Sequence, residues 1–69
     1  MTDYIINKEK TDGRYNEVHQ LTCSHLPLIR NCITLGYFNN GEEAVKYAKY
    51  HGYSDADGCA YCCSEAHHG

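Results

Sequence analysis

The chain contains no tryptophan and only one phenylalanine, one proline and one methionine in 69 residues, and its apolar residues never run together for long. A membrane-spanning helix needs about 20 consecutive apolar residues, so no span is expected. Large aliphatics are scarce as well: Ile5, Ile6, Val18, Leu21, Leu26, Leu28, Ile29, Ile33, Leu35 and Val45 are the main core formers, and much of the 42 % hydrophobic content is Tyr, Cys and Ala. That makes a thin core. A domain below about 70–80 residues seldom gains more than ~3–5 kcal/mol from apolar burial and commonly needs disulfides, a metal or a partner chain.

Positive charge is the next shortage. Six basic residues are scattered among nine acids, the formal net charge is −3, and no basic stripe is visible. Phosphate neutralisation supplies most non-specific nucleic-acid affinity, so DNA or RNA is disfavoured as a partner and an unnamed protein is the better expectation. Met1 leads into Thr2-Asp3-Tyr4 with no basic segment and no apolar segment of a secretory leader, and the five cysteines are an odd number. A cytoplasmic protein with reduced thiols is therefore expected. Under reducing conditions, cysteines at ligand spacing point to metal binding or catalysis.

What the chain does have is two pairs of soft donors. Three residues separate His19 from Cys23 and two separate Cys59 from Cys62, with about 35 residues between the halves. Each pair can be aimed at one ion by a single turn of backbone, and four such donors make a tetrahedral zinc site. The mixed histidine and thiolate set suits zinc better than iron. His25, His67 and His68 compete with His19 for the fourth position on spacing alone. Cys63 could chelate in place of Cys62, but adjacent cysteines seldom bind one ion together, so an extra thiol beside the site is expected. Cys32 has no partner at ligand spacing and reads as an ordinary thiol.

Residues 4–9 and 14–19 carry β-branched and aromatic residues on either side of Lys10-Thr11-Asp12-Gly13, a turn signal, and predict a β-hairpin whose second strand delivers His19. Pro27 breaks any helix after Cys23. Residues 33–38 predict a third strand, with Gly36 marking a bulge or a close approach. Asn40, Glu42 and Glu43 then form a helix start, and the helix should run from about Gly41 to His51, with Ala44, Val45, Ala48, Tyr47 and Tyr50 inward and Gly52 ending it. Residues 55–58 read as a polar turn. The seven tyrosines are expected to extend the small core, although they could also offer a stacking platform. The sum is one α+β domain, a small zinc-stabilised unit over residues 1–69, with a core of about 4–63 and a tail, 64–69, that is either a helical turn or flexible.

The order Val18-His19-x-x-x-Cys23, Leu26-Pro27, Ile33-x-Leu35-Gly36-x-Phe38, Glu42-Glu43-Ala44-Val45, Gly52-Tyr53 and Cys59-x-x-Cys62 resembles the zinc-binding domain at the N-terminus of the Ada DNA-repair protein and related modules found beside some nuclease domains. The resemblance covers roughly residues 15–63 and implies the fold, the metal and His19 as the fourth ligand. In the Ada domain four cysteines bind zinc and the first accepts a methyl group from a DNA phosphotriester. His19 stands at that position, and an imidazole is not the zinc-bound thiolate that methyl transfer employs. A non-enzymatic structural zinc module is thus expected. The alternatives are a thiol-based alkyl acceptor or redox protein using Cys63 or a zinc-bound cysteine, and a metal sensor or buffer.

Overall fold

The computed structural model describes residues 1–10, 13–24 and 26–68. Its elements are strand β1 (Thr2–Asn7), strand β2 (Asn16–Gln20), a 3-10 turn (Ile29–Asn31), strand β3 (Cys32–Phe38), helix α1 (Gly41–Tyr50), strand β4 (Ala56–Gly58) and a second 3-10 turn (Ser64–Ala66). The strands form one mixed sheet in the order β3-β1-β2-β4, which makes the chain α+β.

β1 and β2 pair antiparallel as expected, with Ile6 opposite Val18 and Ile5 opposite His19. The expected turn falls partly outside the described residues, since Thr11 and Asp12 are not among them. Gly13 has φ 70 and its N–H reaches the Lys10 carbonyl, and its lack of a Cβ makes that left-handed backbone inexpensive. β3 pairs antiparallel with the other side of β1, and the register slips so that Tyr4 faces Gly36 while Ile5 faces Thr34. Leu35 is the extra residue. The bulge lies where Gly36 adopts φ 118, a conformation that other residues rarely tolerate.

Successive strand side chains point to opposite faces, so the register sorts the sheet. Tyr4, Ile6 and Val18 share one face and pack with Ala44, Val45 and Ala48 of α1, together with Ala56, Cys63 and Ala66. Ile5 and His19 are opposite one another on the other face, and both are buried. α1 begins where its residues cap it. The Asn40 Oδ1 accepts from the Glu43 N–H at 3.0 Å, Glu43 Oε1 accepts from the Asn39 N–H at 3.1 Å, and Glu65 Oε1 accepts from the Gly41 N–H at 2.9 Å. Three amides near a helix start are thereby satisfied. At the far end Gly52 (φ 105) donates to the Lys49 carbonyl and Tyr53 to that of Ala48, the pair of bonds that glycine-terminated helices use.

Two expectations need correction, and one open alternative is decided. Residues 55–58 are a polar turn only at their start, because Ala56–Gly58 forms a strand parallel to β2. Three residues are too short for a periodic signal, and the pairing that creates the strand is non-local. Tyr50 does not face the core but is 87 % exposed, and Tyr15, Tyr37, Tyr47 and Tyr61 are also exposed, so only Tyr4 is a fully buried core tyrosine. The phenol oxygens stay in water at little cost, and the small Ala44 and Ala48 bring α1 close to the sheet without them. Finally, residues 64–66, for which a helical turn or a flexible tail was open, form the 3-10 turn, and Ala66 is buried against α1.

That last contact depends on Gly58. A Cβ there would lie 2.6 Å from the Cys63 carbonyl oxygen and 2.9 Å from Ala66, mostly backbone that cannot swing aside. Gly58→Ala should therefore lower stability by about 1–3 kcal/mol through overpacking, measured by denaturant unfolding. An unchanged midpoint would mean that the terminal segment does not dock as described.

Candidate metal centre

The parallel pairing of β2 with β4 builds the site. Val18 stands beside Gly58, and the Cys59 N–H donates to the Val18 carbonyl at 2.9 Å, so the next residues along, His19 and Cys59, leave the sheet side by side on the face away from α1. Both are 2 % exposed. After His19 the chain turns at once: the Cys23 N–H donates to the Gln20 carbonyl at 3.0 Å, which returns the Cys23 thiol toward His19. After Cys59 a second turn is closed by the Cys63 N–H on the Cys59 carbonyl at 2.9 Å, and Cys62 is carried back in the same way.

The result is that one donor atom from each of His19, Cys23, Cys59 and Cys62 lies within 4.8 Å of the other three. The Cys23 and Cys59 sulfurs are 4.0 Å apart. A tetrahedral zinc with bonds of about 2.3 Å to sulfur sets its sulfurs about 3.8 Å apart, so the donors fit such an ion with small adjustments. The chemistry of the set agrees, since three thiols and one imidazole are soft to borderline ligands. Among the described residues these four are the group of His, Cys, Asp and Glu side chains that could hold a metal ion.

Backbone amides surround the sulfurs. The Gln20 N–H donates to Cys62 Sγ at 3.3 Å and the Tyr61 N–H to Cys59 Sγ at 3.4 Å, while the Gln20 side-chain amide donates to the Cys62 carbonyl at 3.0 Å. Such donors favour thiolate over thiol. They are opposed at Cys62, where burial first of all, and then the neighbouring Cys23 and Cys63 thiols, push its pKa well above the ordinary thiol value of 9.0.

The competing donors lie elsewhere. Cys63, fully buried, packs in the cluster beneath α1 although its sulfur is 3.8 Å from that of Cys62, and burial pushes its thiol up as well. Cys32 donates to the carbonyls of Leu28 and Pro27. His67 places Nδ1 3.0 Å from the Gly58 carbonyl and 3.2 Å from Asp57 Oδ2, and the His68 N–H donates to Asp57 Oδ1 at 2.9 Å, so these two fasten the chain terminus to β4. His25 lies outside the described residues. Two contributors were not foreseen, Gln20 and Glu17, whose Oε1 lies 3.5 Å from His19 Nε2. Glu17 follows from spacing, since residues two apart on a strand share a face; nothing in the sequence announced Gln20.

No family model matches the chain, and no curated protein and no solved structure does.

A divalent ion entering this site must displace protons, above all the one that burial holds on Cys62. Apparent affinity should therefore rise with pH, and continue to rise past the ordinary thiol value of 9.0, because the metal competes with protons that the fold retains. Calorimetric titration in buffers of different ionisation enthalpy reads the protons released. Uptake with no proton release would contradict the arrangement.

Proposed function

We propose that the chain is a small non-enzymatic zinc module in which His19, Cys23, Cys59 and Cys62 hold one structural zinc ion. The observation that carries this reading is the closeness of four donors, His19 at the end of β2 with Cys23 just after it, and Cys59 and Cys62 following its parallel neighbour β4. Four protein ligands fill a tetrahedral zinc and leave no position for a substrate, which is the arrangement of structural rather than catalytic sites. The small core supports the same reading. Among the described residues the buried aliphatics larger than alanine are Ile5, Ile6, Val18 and Val45, a small set for a chain of this length to fold on by apolar burial alone. A structural zinc contributes an apparent ~10–16 kcal/mol in small peptides at neutral pH.

The α+β arrangement and the ligand order support the Ada-like reading, with His19 in place of the methyl-accepting cysteine. A reducing, cytoplasmic setting keeps three thiols available as ligands. The surface suits a protein partner better than nucleic acid: Ile29 is 90 % exposed, Leu21, Leu28, Tyr37 and Tyr61 are also exposed, and the net charge is −3. The thiol-based alternative draws little support from Cys63, because a sulfur sealed from solvent with a raised pKa is a poor nucleophile. Sensing or buffering would require far weaker zinc binding than a structural site has.

Native mass spectrometry of protein purified without added metal, followed by circular dichroism through a chelator titration, tests the proposal. One zinc per chain is expected, lost together with the folded signal. His19→Ala should weaken binding by more than about 100-fold, since changes outside the ligand set already cost 10–100-fold. A metal-free chain that stays folded would overturn it.

A further inference from the structure

We propose that Glu17 is a positioning residue for this site: its carboxylate takes the Nε2–H of His19 and so presents Nδ1 to the metal. The inference rests on the zinc reading above and adds which imidazole nitrogen is the ligand and what selects it.

β2 alternates its side chains, so Glu17 and His19 project from the same face of the sheet, the one away from α1. Glu17 Oε1 is 3.5 Å from His19 Nε2. The Nδ1 atom of the same ring is sealed from solvent. Across the parallel pair, Glu17 stands beside Asp57, but Asp57 is occupied with His67 and the His68 amide.

A neutral imidazole carries one N–H, and a metal takes the nitrogen without it. A carboxylate at Nε2 favours the tautomer protonated there, which leaves Nδ1 as the nitrogen without a proton. The reverse assignment would place the ion against Nε2, adding a fourth negative charge beside three thiolates around a divalent cation. Metal on Nδ1 in turn draws electron density from the ring, makes Nε2–H a stronger donor and shortens the contact with Glu17. A carboxylate hydrogen-bonded to a ligating histidine raises its basicity and fixes its ring plane, and losing such a partner typically costs 10–100-fold in metal affinity. With a side chain 30 % exposed, Glu17 can be replaced without opening the core.

The test compares the zinc-loaded protein with Glu17→Ala and Glu17→Gln, using zinc affinity by chelator competition and two-bond proton–nitrogen NMR of the His19 ring. The expected spectrum shows Nδ1 metal-bound and an Nε2–H protected from exchange. Glu17→Ala should lose that protection and about 10–100-fold in affinity. Glu17→Gln, which keeps an oxygen acceptor without the charge, should recover the protection and part of the affinity. Ligation through Nε2, or an affinity unmoved by Glu17→Ala, overturns the positioning role while leaving the zinc site standing. Zinc binding that is indifferent to His19→Ala, or no zinc binding at all, overturns the parent reading and this one with it.

Discussion

The structure depends on one parallel strand pair. β2 and β4 run side by side in the same direction, and such a pair cannot be joined by a tight turn; the chain must leave the sheet and return. Here it leaves at Gln20, supplies β3 to the far edge of the sheet, packs α1 across one face and comes back at Ala56. The pairing is only three residues long, from Asn16 beside Ala56 to Val18 beside Gly58. Yet it fixes His19 next to Cys59, and with them the two turns that carry Cys23 and Cys62. So brief a ladder contributes few hydrogen bonds, and a metal held across its end would add the cross-link that a long ladder would otherwise provide.

The two faces of the sheet divide the work. On one, α1 closes over Tyr4, Ile6 and Val18, with alanines that let helix and sheet approach closely. On the other, Ile5 and His19 are buried, and His19 gathers with the three cysteines of the donor cluster. The adjacent cysteines straddle this division. Cys62 turns toward the site and Cys63 into the cluster under α1, and the Glu65 carboxylate that follows accepts the Gly41 amide at the helix start. Order at the metal face and order at the helix face are thus joined through four consecutive residues.

Much of this was legible beforehand because it is local. The Asn40 and Glu43 caps, the Gly52 stop and the Gly36 bulge follow from the conformational limits of single residues. Spacing pointed to the two donor pairs and the resemblance chose His19 over the other histidines, and the structure does bring those four residues together. What escaped was non-local or marginal. β4 exists as a strand because β2 is beside it, the burial of Ala66 depends on the absence of a side chain at Gly58, and the tyrosines left exposed are amphipathic enough to lie on either side of the surface. Glu17 and Gln20 are ordinary polar strand residues until the fold sets one beside the His19 ring and the other against the Cys62 sulfur.

The most direct test of the account is X-ray absorption at the zinc edge of the metal-loaded chain, because it counts the atoms around the ion. Three sulfurs at about 2.3 Å and one nitrogen at about 2.0–2.1 Å, with no oxygen in the shell, are predicted for His19, Cys23, Cys59 and Cys62 acting together. A shell containing water, or one with fewer sulfurs, would contradict a closed structural site and would restore an open metal position as the centre of the protein's chemistry.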